Sequence, residues 1–119
     1  MPRVIHFEIP ADDPERAVKF YQEVFGWEIE KWEGPFDYWL ITTGDESEAG
    51  INGAIMTKMM GDQMRNTIAV ESFDDFATKI LKSGGKSVIP KMTIPGIGIM
   101  GSFEDTEGNA FLIMEPHMD

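Results

Sequence analysis

Polar and apolar residues alternate over Val4-Ile5-His6-Phe7-Glu8-Ile9, setting Ile5, Phe7 and Ile9 on one face and Val4, His6 and Glu8 on the other. A period of two predicts a half-buried strand, stopped by Pro10. Asp12-Asp13-Pro14-Glu15 then offers an N-cap carboxylate, a proline at the first helical position and an acidic residue facing the helix dipole. The helix so started carries Ala17, Phe20, Tyr21 and Val24 as one apolar stripe, and Gly26 is placed to end it. Short strands are predicted over 27–32, over 37–43 after the Gly34-Pro35 turn, and over 52–58 after a polar loop at 44–50.

Beyond a linker at 59–65 the same succession returns, opening with a strand at 66–71. Ser72 with Asp75 forms a capping-box pattern, and Phe73, Phe76, Ala77, Ile80 and Leu81 make the second helical stripe, up to Gly84-Gly85. Strands are expected near 86–92, 97–103 and 110–115, and Pro90 argues that the first of them lies at a sheet edge. The chain reads βαβββ twice, module one over about 3–58 and module two over about 66–116, within one domain. The predicted class is α+β, with two such modules curving their sheets around a shared cleft.

Composition narrows the function. Against 21 Asp+Glu stand only 10 Lys+Arg, a formal charge of −11, which argues against nucleic acid and anionic membranes as partners. Cysteine is absent, so neither a disulfide framework nor a thiolate metal site can form. No signal-peptide core and no membrane-spanning run is found, and a soluble, cytoplasmic protein is expected. Nucleophile elbows and phosphate loops are missing too; the glycines of Ile94-Pro95-Gly96-Ile97-Gly98-Ile99-Met100-Gly101 are followed by neither the lysine nor the helix that a phosphate loop needs.

The stretch from Val4 to Tyr21, with Val24-Phe25-Gly26-Trp27 and the turn Phe103-Glu104-Asp105-Thr106-Glu107-Gly108-Asn109, resembles the vicinal oxygen chelate superfamily of glyoxalases, extradiol dioxygenases and bleomycin-resistance proteins. These motifs are a capped helix on a strand and a hairpin turn, so they speak for fold rather than for chemistry. The resemblance implies a metal held by four side chains, one from the first and one from the last strand of each half. In this chain those positions are His6, either Gly53 or Ala54, Thr67 and Leu112. One imidazole is too little for a divalent ion, which needs three or four donors. A metal is therefore disfavoured as a cofactor, with His6 its ligand if one is present.

His6 is the group titrating near neutral pH in the expected cleft, and with Glu8 it forms the candidate catalytic pair. Packing is the competing role for His6, and solvation near a strand end the competing role for Glu8 and for Glu71. Tyr38 and Trp39 offer ring surface to a flat ligand, although neighbours on a strand face opposite ways and one of them is expected in the core. Thr67, Leu112 and Met114 complete the expected ligand-binding set, in a chain rich in adaptable methionine. The first reading is a small-molecule binding protein without metal, oligomeric as a homodimer, whose carboxylate excess favours a cationic ligand. The alternatives are a metal-dependent lyase or isomerase of the glyoxalase type, and an interaction module with no ligand.

Overall fold

The computed structural model describes residues 2–116. Strand β1 runs Arg3–Ala11 and is followed by helix α1, Pro14–Phe25, and strands β2 (Glu28–Lys31), β3 (Tyr38–Thr42) and β4 (Asn52–Thr57). After a 3-10 turn at Lys58–Met60 come β5 (Arg65–Ala69), α2 (Phe73–Lys82), β6 (Lys86–Ile94), β7 (Gly98–Glu104) and β8 (Ala110–Pro116). The fold is α+β, with the βαβββ order present twice. The chain divides into two compact units: His6–Met64, and the residues from Arg65 onward grouped with the stretch ending at Ile5.

In the N-terminal unit the strands lie in the order β2-β3-β4-β1. β1 pairs parallel to β4, while β3 runs antiparallel to both β2 and β4. The core gathers Ile9, Ile41 and Ile55 beneath α1, with Ala17, Val18, Tyr21, Trp27 and Trp39 packed on it. α1 begins where the sequence places it: Asp13 accepts from the Arg16 amide at 3.2 Å, Pro14 takes the first turn, and Gly26 closes the helix at φ 70°. Its buried stripe is rotated from the expected one. Phe20 and Val24 are each 55% exposed, whereas Val18 and Tyr21 face the sheet. Spacings of three and four admit both stripes, and the parallel stacking of Tyr21 on Trp27, 5.3 Å apart, accompanies the second.

Pro10 does not stop β1, which continues to Ala11 with Pro10 opposite Met56. Its missing amide costs at most one ladder bond near the strand end, less than the strand gains by burying Ile9.

In the C-terminal unit the order is β5-β8-β7-β6, again with a parallel pair, β5 with β8, and antiparallel neighbours. Val70, Phe73, Phe103 and Ile113 are buried together under α2, joined by Phe76, Ala77 and Ile80. Leu81, assigned to this stripe by its spacing, is exposed. Pro90 lies in β6, which ends the order and pairs with β7, and one register shift precedes it, between Ser87 and Ile89, while another spans it, between Ile89 and Met92. An edge with bulges is where a strand tolerates proline.

Candidate functional site

The face of the N-terminal sheet turned away from α1 carries the polar residues. Register fixes its members: His6 lies opposite Asn52 and Glu8 opposite Ala54, while Tyr38 pairs with Met56 and Leu40 with Ala54. Strand alternation puts all seven of these side chains on one side. Gly53, opposite Phe7, belongs to the other side, where a Cβ would come within 2.6 Å of the Phe7 ring. The first-half metal position, open between Gly53 and Ala54 in the sequence, thus falls to Ala54, a methyl group. Trp39 separates from Tyr38: it lies opposite Ile55, packs on the helix-side core and has Lys31 Nζ 5.4 Å from its ring, so it is not part of this face.

His6, Tyr38 and Glu8 form a hydrogen-bonded chain. The Tyr38 hydroxyl donates to Glu8 Oε2 at 2.6 Å, and the same oxygen lies 2.9 Å from His6 Nε2. Glu8 is only 2% exposed, against the solvated place expected for it, while Glu71 is exposed. The buried carboxylate's cost is offset in part by a charge-assisted bond from the phenol. Burial holds the His6 imidazole below its ordinary pKa of 6.5, and the charge of Glu8 opposes that shift without cancelling it. Around neutral pH the ring is therefore neutral.

Two aromatic residues that the sequence reading passed over complete this end of the face. Trp32 donates its amide to the Tyr38 carbonyl at 2.7 Å, which continues the β2–β3 pairing by one residue and brings Trp32 to the side of Tyr38. Trp32 and Phe36 have ring centroids 5.0 Å apart, and Tyr38 lies 5.9 Å from Trp32 and 5.8 Å from Phe36. Gly34 closes over the Trp32 indole so tightly that a Cβ there would collide with three ring atoms. The signal was present in the sequence: counting alternate positions back from Tyr38 through the Gly34-Pro35 turn reaches Phe36 and Trp32.

In the C-terminal unit, Thr67 lies opposite Leu112, and Ala69 opposite Met114. Ser102 pairs with Leu112 from the other side, and Met100 with Met114. Thr67, Leu112, Met114 and Ser102 thus share the face turned away from α2. The Thr67 and Ser102 hydroxyls are buried, at 2% and 1% residue exposure, and neither has a hydrogen-bond partner among the described residues. Ser102 was missed because a serine among apolar residues carries no distinguishing pattern. Glu115 is on the helix side, where its Oε1 accepts from the Phe73 amide at 2.8 Å and caps α2 from a distant strand.

The residues do not fit a divalent metal. At the four positions that the resemblance implies for a metal stand an imidazole, a methyl, a hydroxyl and an isobutyl group, and the imidazole Nε2 is bound to Tyr38. The Asn52 amide oxygen, next to His6, already accepts from the Thr43 amide and hydroxyl. Among the described residues no group of three or more His, Asp or Glu side chains could hold an ion.

Residues 3–44 match the family described as Bleomycin resistance protein-like N-terminal. Comparison with curated proteins finds no match. Among solved structures, a Streptomyces coelicolor methylmalonyl-CoA epimerase variant in complex with 2-nitronate-propionyl-CoA superposes with a TM-score of 0.72 at 14% identity, covering 99% of each chain. Methylmalonyl-CoA epimerase from Mycobacterium tuberculosis gives 0.69 at 12% identity, covering 97% of this chain and 88% of that one. An uncharacterized protein from Methanosarcina mazei gives 0.62 at 18%, covering 97% and 94%. The fold is that of these solved structures. Among the described residues no helix is long and apolar enough to cross a membrane.

Proposed function

We propose that this chain binds a small organic molecule on the His6 face of its N-terminal unit, with His6 and Tyr38 orienting the ligand and no divalent metal taking part. One observation carries the reading: the buried Glu8 carboxylate, bonded through Tyr38 to His6. A strand stabilised for packing alone gains nothing from taking a charge out of water, so the chain is better understood as a device for holding an imidazole. Trp32, Phe36, Leu40 and Met56 supply the apolar surroundings. Structures with this fold hold acyl-CoA ligands, in a Streptomyces coelicolor epimerase complex with 2-nitronate-propionyl-CoA and in a methylmalonyl-CoA epimerase complex with methylmalonyl-CoA, and the bleomycin-resistance match makes sequestration the natural form for the activity.

Thr67, Leu112 and Met114 form a second candidate contact surface on the C-terminal unit, with the unpartnered Thr67 and Ser102 hydroxyls as its polar anchors. A homodimer would cover Phe20, Val24 and Phe25 of α1, the last 59% exposed. A lyase or isomerase remains a second reading, favoured by the neutral His6, which can accept a proton; it would have to run without the metal that the donor set does not fit.

The test is a thermal-shift screen of small metabolites and cationic antibiotics on the wild type and on His6→Ala. A ligand at about 100 times its Kd stabilises by about 2.7 kcal/mol, a rise of several degrees, and this rise should vanish in His6→Ala. A broad screen that left the melting temperature unmoved would remove the proposal. Elemental analysis of protein purified without chelator is expected to show no stoichiometric divalent metal; finding one that His6→Ala loses would overturn the metal-free part.

A further inference from the structure

The hydrogen bonds on the His6 face fix where each proton lies. A carboxylate can only accept, so the 2.6 Å bond to Glu8 Oε2 takes the single hydroxyl proton of Tyr38. The 2.9 Å contact between that hydroxyl and His6 Nε2 then draws its proton from the nitrogen. A neutral imidazole carries one N–H, which here stands on Nε2 and leaves Nδ1 with a bare lone pair.

The three groups differ in what they have left to offer. Glu8, at 2% exposure, is out of a ligand's direct reach, and the Tyr38 hydroxyl has given its proton away. His6 is half-buried, and its Nδ1 has no hydrogen-bond partner among the described residues. The lone-pair directions of the two ring nitrogens diverge, so Nδ1 faces away from Tyr38. The chain of bonds also strengthens this acceptor: the Glu8 charge polarises the phenol, the phenol oxygen polarises the Nε2–H, and the electron density gained by the ring is expressed at Nδ1. A buried carboxylate thus acts on a ligand that it never touches.

We infer that His6 Nδ1 is the hydrogen-bond acceptor through which this face recognises its ligand, and that the ligand presents a polarised O–H or N–H group to it. The inference rests on the proposal that this face binds a small molecule, and it names the ligand's class: a hydrogen-bond donor such as a phenol, an enol or an imide. Tyr38 acts as a positioning residue, holding the imidazole in the tautomer that accepts. An ether of the same shape has no proton to give. A carboxylate would have to bring a proton with it and turn the ring into an imidazolium, which burial of His6 opposes.

Three small probes separate these cases: phenol, anisole and benzoate. They are titrated at about pH 8, where an imidazole of ordinary pKa is already neutral, and followed by the nitrogen-15 resonances of the His6 ring. In the free protein, Nε2 should show the protonated signature and Nδ1 the unprotonated one. Phenol is expected to bind about tenfold tighter than anisole and to move the Nδ1 resonance more than the Nε2 resonance, with benzoate weakest. Tyr38→Phe should mix the two ring tautomers and shrink phenol's advantage over anisole; a variant that kept the wild-type ring signature would take the positioning role from Tyr38. A free protein protonated at Nδ1 would overturn the tautomer argument directly. If anisole or benzoate bound as tightly as phenol, the donor class would fall while the binding face stood. Should none of the three probes move the His6 resonances, the inference fails, and the broader metabolite screen decides separately whether the face binds anything.

Discussion

The two units are built alike on the side that faces their helix and differently on the other. Each has a parallel central pair, β1 with β4 and β5 with β8, and each buries branched and aromatic side chains beneath one helix. On the free face, the cross-strand row Glu8–Ala54–Leu40 of the first unit corresponds to Thr67–Leu112–Ser102 of the second. A carboxylate tied to a phenol and an imidazole stands in one, hydroxyls around a hydrocarbon in the other. The helix side must satisfy packing in both units and so keeps its pattern. The free face is released from that demand, and there the units part: a carboxylate, a phenol and an imidazole lie in the first, while the second sets the buried Arg65, along with two hydroxyls that have no partner among the described residues, in apolar surroundings.

Cutting into the shared side should hurt both units comparably. Ile55→Ala is expected to cost about 2–5 kcal/mol and Phe73→Ala about 3–5 kcal/mol, read from urea denaturation; a loss under about 1 kcal/mol for either would mean that the two cores are not equivalent. The helix caps sharpen the comparison at a smaller scale. α1 is capped locally by Asp13, whereas α2 is capped by Ser72 and also by the distant Glu115. Glu115→Ala should destabilise by about 1 kcal/mol and leave the His6 resonances in place, and an altered His6 spectrum would contradict its assignment to the helix side.

The smallest effect concerns pH. Because the folded His6 pKa lies below 6.5, the unfolded chain binds more protons in the window just under that value, and stability falls as pH drops through it. His6→Gln should flatten that part of the pH–stability curve. An unchanged slope would show that the imidazole titrates alike in both states.

Most of the fold was legible because helix ends are local events. Asp13-Pro14, Ser72 and Gly26 lie within four residues of what they cap or close, and alternation in β1 with turn residues elsewhere placed the strands to within a few residues. Long-range register was not legible. It alone decides that Ala54 and not Gly53 shares the His6 face, that Tyr38 bridges His6 to Glu8, and that Glu115 reaches α2. Tyr38 was singled out for its ring, yet its hydroxyl does the joining, and no spacing in a single chain foretells a contact across 30 residues. The exposure of Phe20 and Val24 was hidden for a related reason, since a helix's apolar arc can be drawn one position to either side.

The outermost strands have a consequence for the protein in crowded solution. β2 is four residues long, and β6 carries Pro90 with irregular pairing just before it and across it. Neither offers a straight run of free amides onto which a foreign chain could zip, so fibrillar growth from these rims is discouraged by geometry rather than by charge. Replacing Pro90 would remove one of those safeguards without touching any ligand.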